Sequence, residues 1–69
     1  TYLEQKEWET IEDDIAALEE KGQTVQSAMA ENTSDFAQLT QLQQELDNAE
    51  AALAEKWERW EYLSQFAKD

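Results

Sequence analysis

Carboxylates are the most numerous groups in this chain that could do chemistry. Its 69 residues include seventeen Asp and Glu against five Lys and Arg, for a formal net charge of −12. The densest run is Glu12, Asp13 and Asp14. Consecutive residues of a helix point in different directions, and the run lacks the spaced ligands and turn glycine of a calcium-binding EF-hand loop. The pattern favours a solvated acidic surface and not a specific metal site.

Histidine and cysteine are absent, and glycine occurs only once. The commonest general base and the thiol nucleophile are therefore missing, as are the usual zinc ligands. A single glycine cannot build a glycine-rich phosphate-binding loop. We therefore expect no enzymatic activity, no metal site and no cofactor in this chain itself.

Aromatic and basic side chains gather in EKWERWEYLSQF, residues 55–66. Aromatic rings can stack on bases, and Lys or Arg can neutralise phosphates. The candidates for nucleic-acid or partner contact are Lys6, Lys56, Arg59, Tyr62, Phe66 and Lys68. Against direct DNA binding stands the overall charge, because a chain this acidic repels phosphate. Glu55 is also four residues from Arg59, a spacing at which the two pair on a helix.

Helices must position these residues, because proline is absent and good helix formers dominate. In each half of the chain, apolar residues recur at spacings of three and four, as at the inner positions of coiled-coil heptads. The predicted seam is Trp8, Ile11, Ile15, Leu18, Val25, Met29, Leu39, Leu42, Leu46, Leu53, Trp57, Trp60 and Leu63. We predict an all-α fold, in which two long antiparallel helices form a coiled-coil hairpin as a single domain over residues 1–69.

The periodicity is interrupted by a run of turn and capping residues, NTSD. We predict helix one over about 2–31, a turn over about 32–34 and helix two over about 35–67. Asn32 is a candidate for the left-handed residue that ends helix one. Ser34 and Asp35 are alternative N-caps for helix two. Phe36 is expected to fold back over the turn.

The two apolar series agree on one antiparallel register. Paired residue numbers sum to 67 or 68, which places Trp60 opposite Trp8 and Trp57 opposite Ile11. Lys56 falls on a seam position that suits it poorly, so Trp57 is predicted to take the central place. Lys56 would then lie at the flank with its alkyl stem on apolar surface. Most of the aromatic stretch is therefore expected to close the open end of the hairpin.

The same register sets two further expectations. Gly22 lies opposite Leu46, where it either gives that side chain room or bends the arm. Leu63 faces Tyr2 or Glu4. Tyr62 falls off the seam and Phe66 lies near the end of the helix, so these two are expected to be the exposed contacts.

Short motifs at both ends of the chain are recognisable. TYLEQKEWETIEDDIAALEE, residues 1–20, resembles the Tyr-x-Glu-Gln-Lys/Arg-Glu opening of the C-terminal domain of ABC-F-type ATPases of the Uup kind. ERWEYL, residues 58–63, resembles the Glu-Arg-Trp-x-x-Leu with which that domain closes. SDF and the Leu-rich helix after it fit the turn and return arm of its hairpin. The resemblance spans essentially the whole chain.

The resemblance implies a function for the chain and a longer protein, its parent, of which the chain is one domain. Such domains are non-catalytic coiled-coil hairpins that follow two ATP-binding cassettes and a basic linker in cytosolic proteins. The parents act on ribosomes and translation, and some of these C-terminal domains bind DNA. ATP and magnesium would be cofactors of the parent only, and the ribosome or nucleic acid would be its partner. The alternatives are a hairpin that binds DNA in its own right and a protein-interaction or oligomerisation module.

Location and assembly follow from the same observations. No stretch approaches the roughly 18 apolar residues of a membrane span, so we expect a cytoplasmic protein without membrane association. Thr1 is expected to be a boundary inside a longer protein. The isolated chain is expected to be monomeric.

Overall fold

Two α-helices joined by a short turn make up the whole fold. The computed structural model describes residues 1–67, with α1 at Tyr2–Glu31 and α2 at Phe36–Ala67. The helices pack antiparallel into a rod of 53 × 16 × 14 Å. The predicted all-α hairpin is confirmed. Neither helix, over the described residues, has a stretch long and apolar enough to cross a membrane.

A capping box begins α1. The Thr1 hydroxyl accepts a hydrogen bond from the Glu4 backbone N–H at 3.2 Å, and Glu4 Oε1 accepts one from the Thr1 backbone nitrogen at 3.2 Å. This reciprocal pair satisfies donors that the first turn of a helix leaves free. It also holds the Glu4 side chain in place at the open end of the hairpin.

The turn is built by two side chains that bond to backbone groups. The Asn32 amide donates to the Ala28 carbonyl at 2.7 Å, and Asn32 has φ −117°. The expectation of a left-handed Asn32 is wrong, because its side chain satisfies a terminal carbonyl without that conformation. Asp35 Oδ1 accepts from the Gln38 N–H at 3.1 Å. Of the two candidate caps it is therefore Asp35 that caps α2, and α2 begins one residue later than predicted.

Phe36 does not cover the turn. Its side chain is 83% exposed, so the expectation that it folds back is wrong. Phe36 is the first residue of α2 and directly follows the cap Asp35. The tip of the hairpin therefore carries a lone exposed aromatic ring.

The core runs along the predicted seam in two clusters. Near the open end, the buried residues are Ile11, Ile15 and Leu63, with Trp8, Leu53 and Trp60 packed against them. Near the turn, they are Val25, Leu42 and Leu46, with Ala28 and Met29 packed against them. Every predicted seam residue except Trp57 is buried or half-buried. The rings of Trp8 and Trp60 lie 5.9 Å apart, as the register predicts.

Trp57 does not take the central place predicted for it. Trp57 is 44% exposed, and its ring meets that of Trp60 in a T-shaped arrangement, with centroids 5.7 Å apart at 73°. Lys56 is half-buried instead, and its ammonium reaches Asp14 on α1 at 3.3 Å. The heptad register continues here without a slip. A lysine can occupy its inner position because the stem lies on apolar surface while the charge extends to the rim.

Gly22 packs opposite Leu46, as predicted, but not because a glycine is needed. A Cβ added at Gly22 would lie 3.9 Å from Leu46 Cδ1, an ordinary van der Waals contact. α1 also continues unbroken through this position. Gly22 therefore neither makes essential room for Leu46 nor interrupts the helix.

Candidate functional site

Arg59 is engaged by carboxylates of the opposite helix. Its Nε lies 2.7 Å from Glu7 Oε2 and its Nη2 lies 4.0 Å from Glu4 Oε2. The guanidinium also lies over the Tyr62 ring at 4.8 Å. The hydrogen bond to Glu7 raises the pKa of Arg59. The expected partner on its own helix, Glu55, is not used, because the two carboxylates of α1 bind Arg59 across the interface.

Tyr62 is an interhelical bridge more than a free surface ring. Its hydroxyl donates to Glu4 Oε2 at 3.0 Å. This hydrogen bond is the main cause of the lowered pKa of Glu4 and of the raised pKa of Tyr62. Phe66 packs edge-on against Tyr62 with ring centroids 5.1 Å apart and stays 60% exposed. Of the two aromatic contact candidates, Phe66 is the more available.

The remaining described candidate cations, Lys56 and Lys6, each have a different neighbour. Lys56 is bound to Asp14 across the interface. Lys6 lies 5.7 Å above the ring of Tyr2 on its own helix. Lys68 lies outside the described residues. The structure therefore does not bring the described candidates into one basic patch, since each is next to its own acidic or aromatic neighbour.

The bridges occupy one side of the hairpin, which we call the bridged flank. Glu7 and Asp14 are one heptad apart and so lie on the same face of α1. They bind Arg59 and Lys56 of α2. Tyr62 and Glu4 close the same flank at its outer end. Long polar side chains thus tie the helices together beside the seam.

The opposite side is an open groove, which we call the open flank. On α1 its lining includes Glu12, Ala16, Glu19 and Gln23, whose spacing of four, three and four defines one helix face. On α2 its walls are Trp57 and Trp60 towards the open end, and Leu46, Ala49, Glu50 and Leu53 towards the middle. Glu19 lines both sections, so they are adjacent along this flank. Gly22 forms part of its floor.

The sequence of this hairpin matches a known protein family. The family model described as ABC transporter C-terminal domain matches residues 1–65. The chain belongs to this family. The kinship with C-terminal domains of ABC ATP-binding proteins, predicted from the two end motifs, is confirmed.

One relative of this ABC transporter C-terminal domain is an uncharacterized ABC transporter ATP-binding protein, YfmR, of Bacillus subtilis strain 168. The two are 38% identical over 64 residues, which cover 93% of this chain and 10% of the relative. The chain thus spans about a tenth of the relative's length. No solved structure matches the chain.

In this ABC transporter C-terminal domain, the residues of the two end motifs fold against each other. Glu4 and Glu7 of the opening motif bind Tyr62 and Arg59 of the closing motif. Trp60 of the closing motif packs on Trp8. These residues clamp the open end of the hairpin, which gives the motif pair a structural role.

The sequence pattern does not reveal the open flank, because it predicts Trp57 to lie in the seam. The sequence does carry one signal for this flank. Trp57 directly follows Lys56, which places it at the rim of the interface, on the same side as Glu12 and Glu19. Within residues 1–67, no group of three or more His, Cys, Asp or Glu side chains is placed to hold a metal ion.

Proposed function

We propose that this hairpin is a non-catalytic C-terminal coiled-coil domain of a cytosolic ABC-F-type ATP-binding protein. In this proposal it contributes to engagement of the ribosome or nucleic acid by the parent, which supplies the ATP and magnesium sites. The observation that carries the proposal is the family match along residues 1–65. The relative's printed name, an ABC transporter ATP-binding protein, agrees with such a parent.

The geometry supports a role in reach and positioning. The helices form a rod 53 Å long, and Thr1 lies at its open end, beside Leu63 and Phe66. A parent joined before Thr1 would meet the rod at this clamped end. The turn, with exposed Phe36, would then project by the length of the rod towards a target.

Ribosome pelleting with the full-length parent tests this role. A version truncated before Thr1 should pellet less with ribosomes and should have a weaker effect on translation in vitro. A second version, with an unrelated acidic coiled-coil hairpin of equal length in place of this one, controls for bulk and charge. Equal pelleting and equal translational effect of the truncated and intact proteins would contradict the proposal.

Direct DNA binding by the hairpin is the second candidate, because Arg59 lies over the Tyr62 ring and Lys56 precedes Trp57 in the sequence. Their carboxylate partners and the net charge of −12 weigh against it. Titration of labelled DNA at low salt is the test, and absence of saturable, salt-sensitive binding rejects this candidate.

Self-association of the hairpin is the third candidate. Sedimentation at high concentration tests it, and a monomer is the expected result.

A further inference from the structure

The open flank has an unoccupied aromatic wall. Trp57 is held edge-on by Trp60 at 5.7 Å yet remains 44% exposed. Its ring borders the groove section that Ile15 and Ala16 also line. A large ring that packs on one neighbour and stays partly open to solvent offers a surface for stacking.

The carboxylates of this flank differ from those of the bridged flank. Within residues 1–67, the ion pairs engage Glu4, Glu7 and Asp14, and none engages Glu12, Glu19 or Glu50. No Lys or Arg lines the groove in the part of the chain that the structure describes. The groove is therefore a negatively charged channel with apolar walls.

On the bridged flank, a guanidinium group already contacts both an aromatic ring and a carboxylate. There the Arg59 guanidinium lies over the Tyr62 ring at 4.8 Å while Glu7 binds it at 2.7 Å. The open flank repeats two parts of this arrangement, a ring at Trp57 and carboxylates at Glu12 and Glu19, without the cation. Indole is the best cation–π partner among the side chains, and a guanidinium can stack and pair at once.

We propose that the open flank binds an arginine-rich segment of a partner protein, with guanidinium groups stacked on Trp57 and paired with Glu12 and Glu19. Apolar side chains of the same segment would lie along Leu46, Ala49 and Leu53. A phosphate-bearing partner is disfavoured because the groove offers carboxylates and no cation. The inference does not depend on ribosome engagement by the parent, since it concerns a surface of the hairpin alone.

Fluorescence anisotropy with the 69-residue chain tests the inference. The probe is a short fluorescein-labelled peptide of alternating arginine and alanine, and its control carries citrulline, the neutral isostere, in place of arginine. Circular dichroism first establishes that the chain and each variant have the same helix content. The arginine peptide should bind saturably and the citrulline peptide should not.

Three variants assign the binding to the groove. Trp57→Leu should weaken binding about fivefold by loss of the stacking face. The double change Glu12→Gln and Glu19→Gln should weaken it by about the same factor through loss of both ion pairs. The matched double change Asp13→Asn and Glu20→Gln removes equal charge from exposed positions outside the groove, and should alter the Kd less than about twofold.

The outcomes separate the inference from simple charge attraction. Equal weakening by the two double variants would overturn it, and so would full binding by Trp57→Leu or by the citrulline peptide. Tighter binding of a single-stranded DNA oligonucleotide than of the arginine peptide would also overturn it. A negative pelleting result for the parent leaves these titrations unaffected, so failure of the proposed function would be recognised separately.

Discussion

Side chains beside the seam of this hairpin determine how its two flanks differ. Arg59, Lys56 and Tyr62 each reach across the interface to a carboxylate of α1. On the other flank, Trp57 borders a groove whose carboxylates, Glu12 and Glu19, form no ion pair within residues 1–67. Residues that looked like one cluster of contacts in the sequence therefore divide into helix-to-helix bridges and an accessible surface.

The bond between Tyr62 and Glu4 predicts a pH effect. The pKa of Glu4 is lower in the folded chain than in the unfolded chain. Ionised Glu4 therefore stabilises the fold above its unfolded pKa, and this stabilisation is lost as the pH falls through the folded pKa. In Tyr62→Phe, the pKa of Glu4 should rise, because the bond that mainly lowers it is gone. Carbon-detected NMR titration of the Glu4 carboxyl measures this directly.

A matched variant shows whether the effect comes from the hydroxyl group. Phe66→Leu removes the neighbouring ring but leaves the Tyr62 hydroxyl, and should leave the pKa of Glu4 near its wild-type value. As the pH falls below about 5, the free energy of unfolding should also decrease less for Tyr62→Phe than for the wild type. An unchanged pKa of Glu4 in Tyr62→Phe would contradict the assigned cause.

Trp60 carries much of the packing at the open end. It contacts the buried cluster around Ile11 and lies against two other indole rings. Trp60→Ala should lower the free energy of unfolding by roughly 3 kcal/mol, the usual cost of truncating a packed large aromatic. Phe36→Ala, at the exposed tip, should change it by less than about 0.5 kcal/mol. Urea denaturation followed by circular dichroism compares them, and equal costs would be inconsistent with this core.

At the scale of the elements, each helix is long, regular and dependent on its partner. α1 has 30 residues and α2 has 32, and the apolar residues of each lie mainly along one stripe. Helices of this composition gain most of their stability from packing of that stripe. Gly22 is the weakest helix former within α1, and it lies between the two core clusters.

Gly22→Ala is expected to stabilise the hairpin by about 1 kcal/mol. The new methyl group would meet Leu46 at an ordinary contact distance, and the unfolded chain would lose conformational freedom. Ser27→Ala, at an exposed position of α1, is the control, and should gain only about 0.5 kcal/mol from helix propensity. Urea unfolding measures both. A destabilised Gly22→Ala variant would mean that close packing requires the glycine.

At the scale of the whole molecule, charge opposes the fold. A net charge of −12 is distributed along a rod only 16 Å wide. The interhelical pairs neutralise part of one flank, but most carboxylates within residues 1–67 form no ion pair. Self-repulsion of this kind destabilises the compact state while it keeps a protein soluble.

Added sodium chloride should therefore raise the melting temperature. Screening shortens the Debye length from about 30 Å at 0.01 M to about 3 Å at 1 M, and relief of the repulsion should outweigh the weakening of a few exposed pairs. The variant Asp13→Asn with Glu20→Gln should melt higher at low salt and respond less to salt. A melting temperature that falls as sodium chloride is added would show that the pairs dominate.

The seam and the hairpin could be predicted because burial occurs along one stripe of each helix. Apolar residues at spacings of three and four have a stable place only against a second stripe, and a short turn leaves only an antiparallel partner. The contacts of Trp8 with Trp60 and of Gly22 with Leu46 followed from counting residues alone. At the turn, several residues could serve as caps, so Asn32 and Phe36 were predicted wrongly.

Only the tertiary structure decided what the residues beside the seam do. Lys56 and Trp57 are adjacent, and the pattern does not say which enters the interface, because a long lysine stem can substitute for an apolar side chain. The choice depends on how each helix is rotated about its axis when the two dock. That rotation places Glu7 and Asp14 within reach of cations while Glu12 and Glu19 face an open groove. The heptads determined the fold by themselves, whereas docking of the helices created the difference between the flanks.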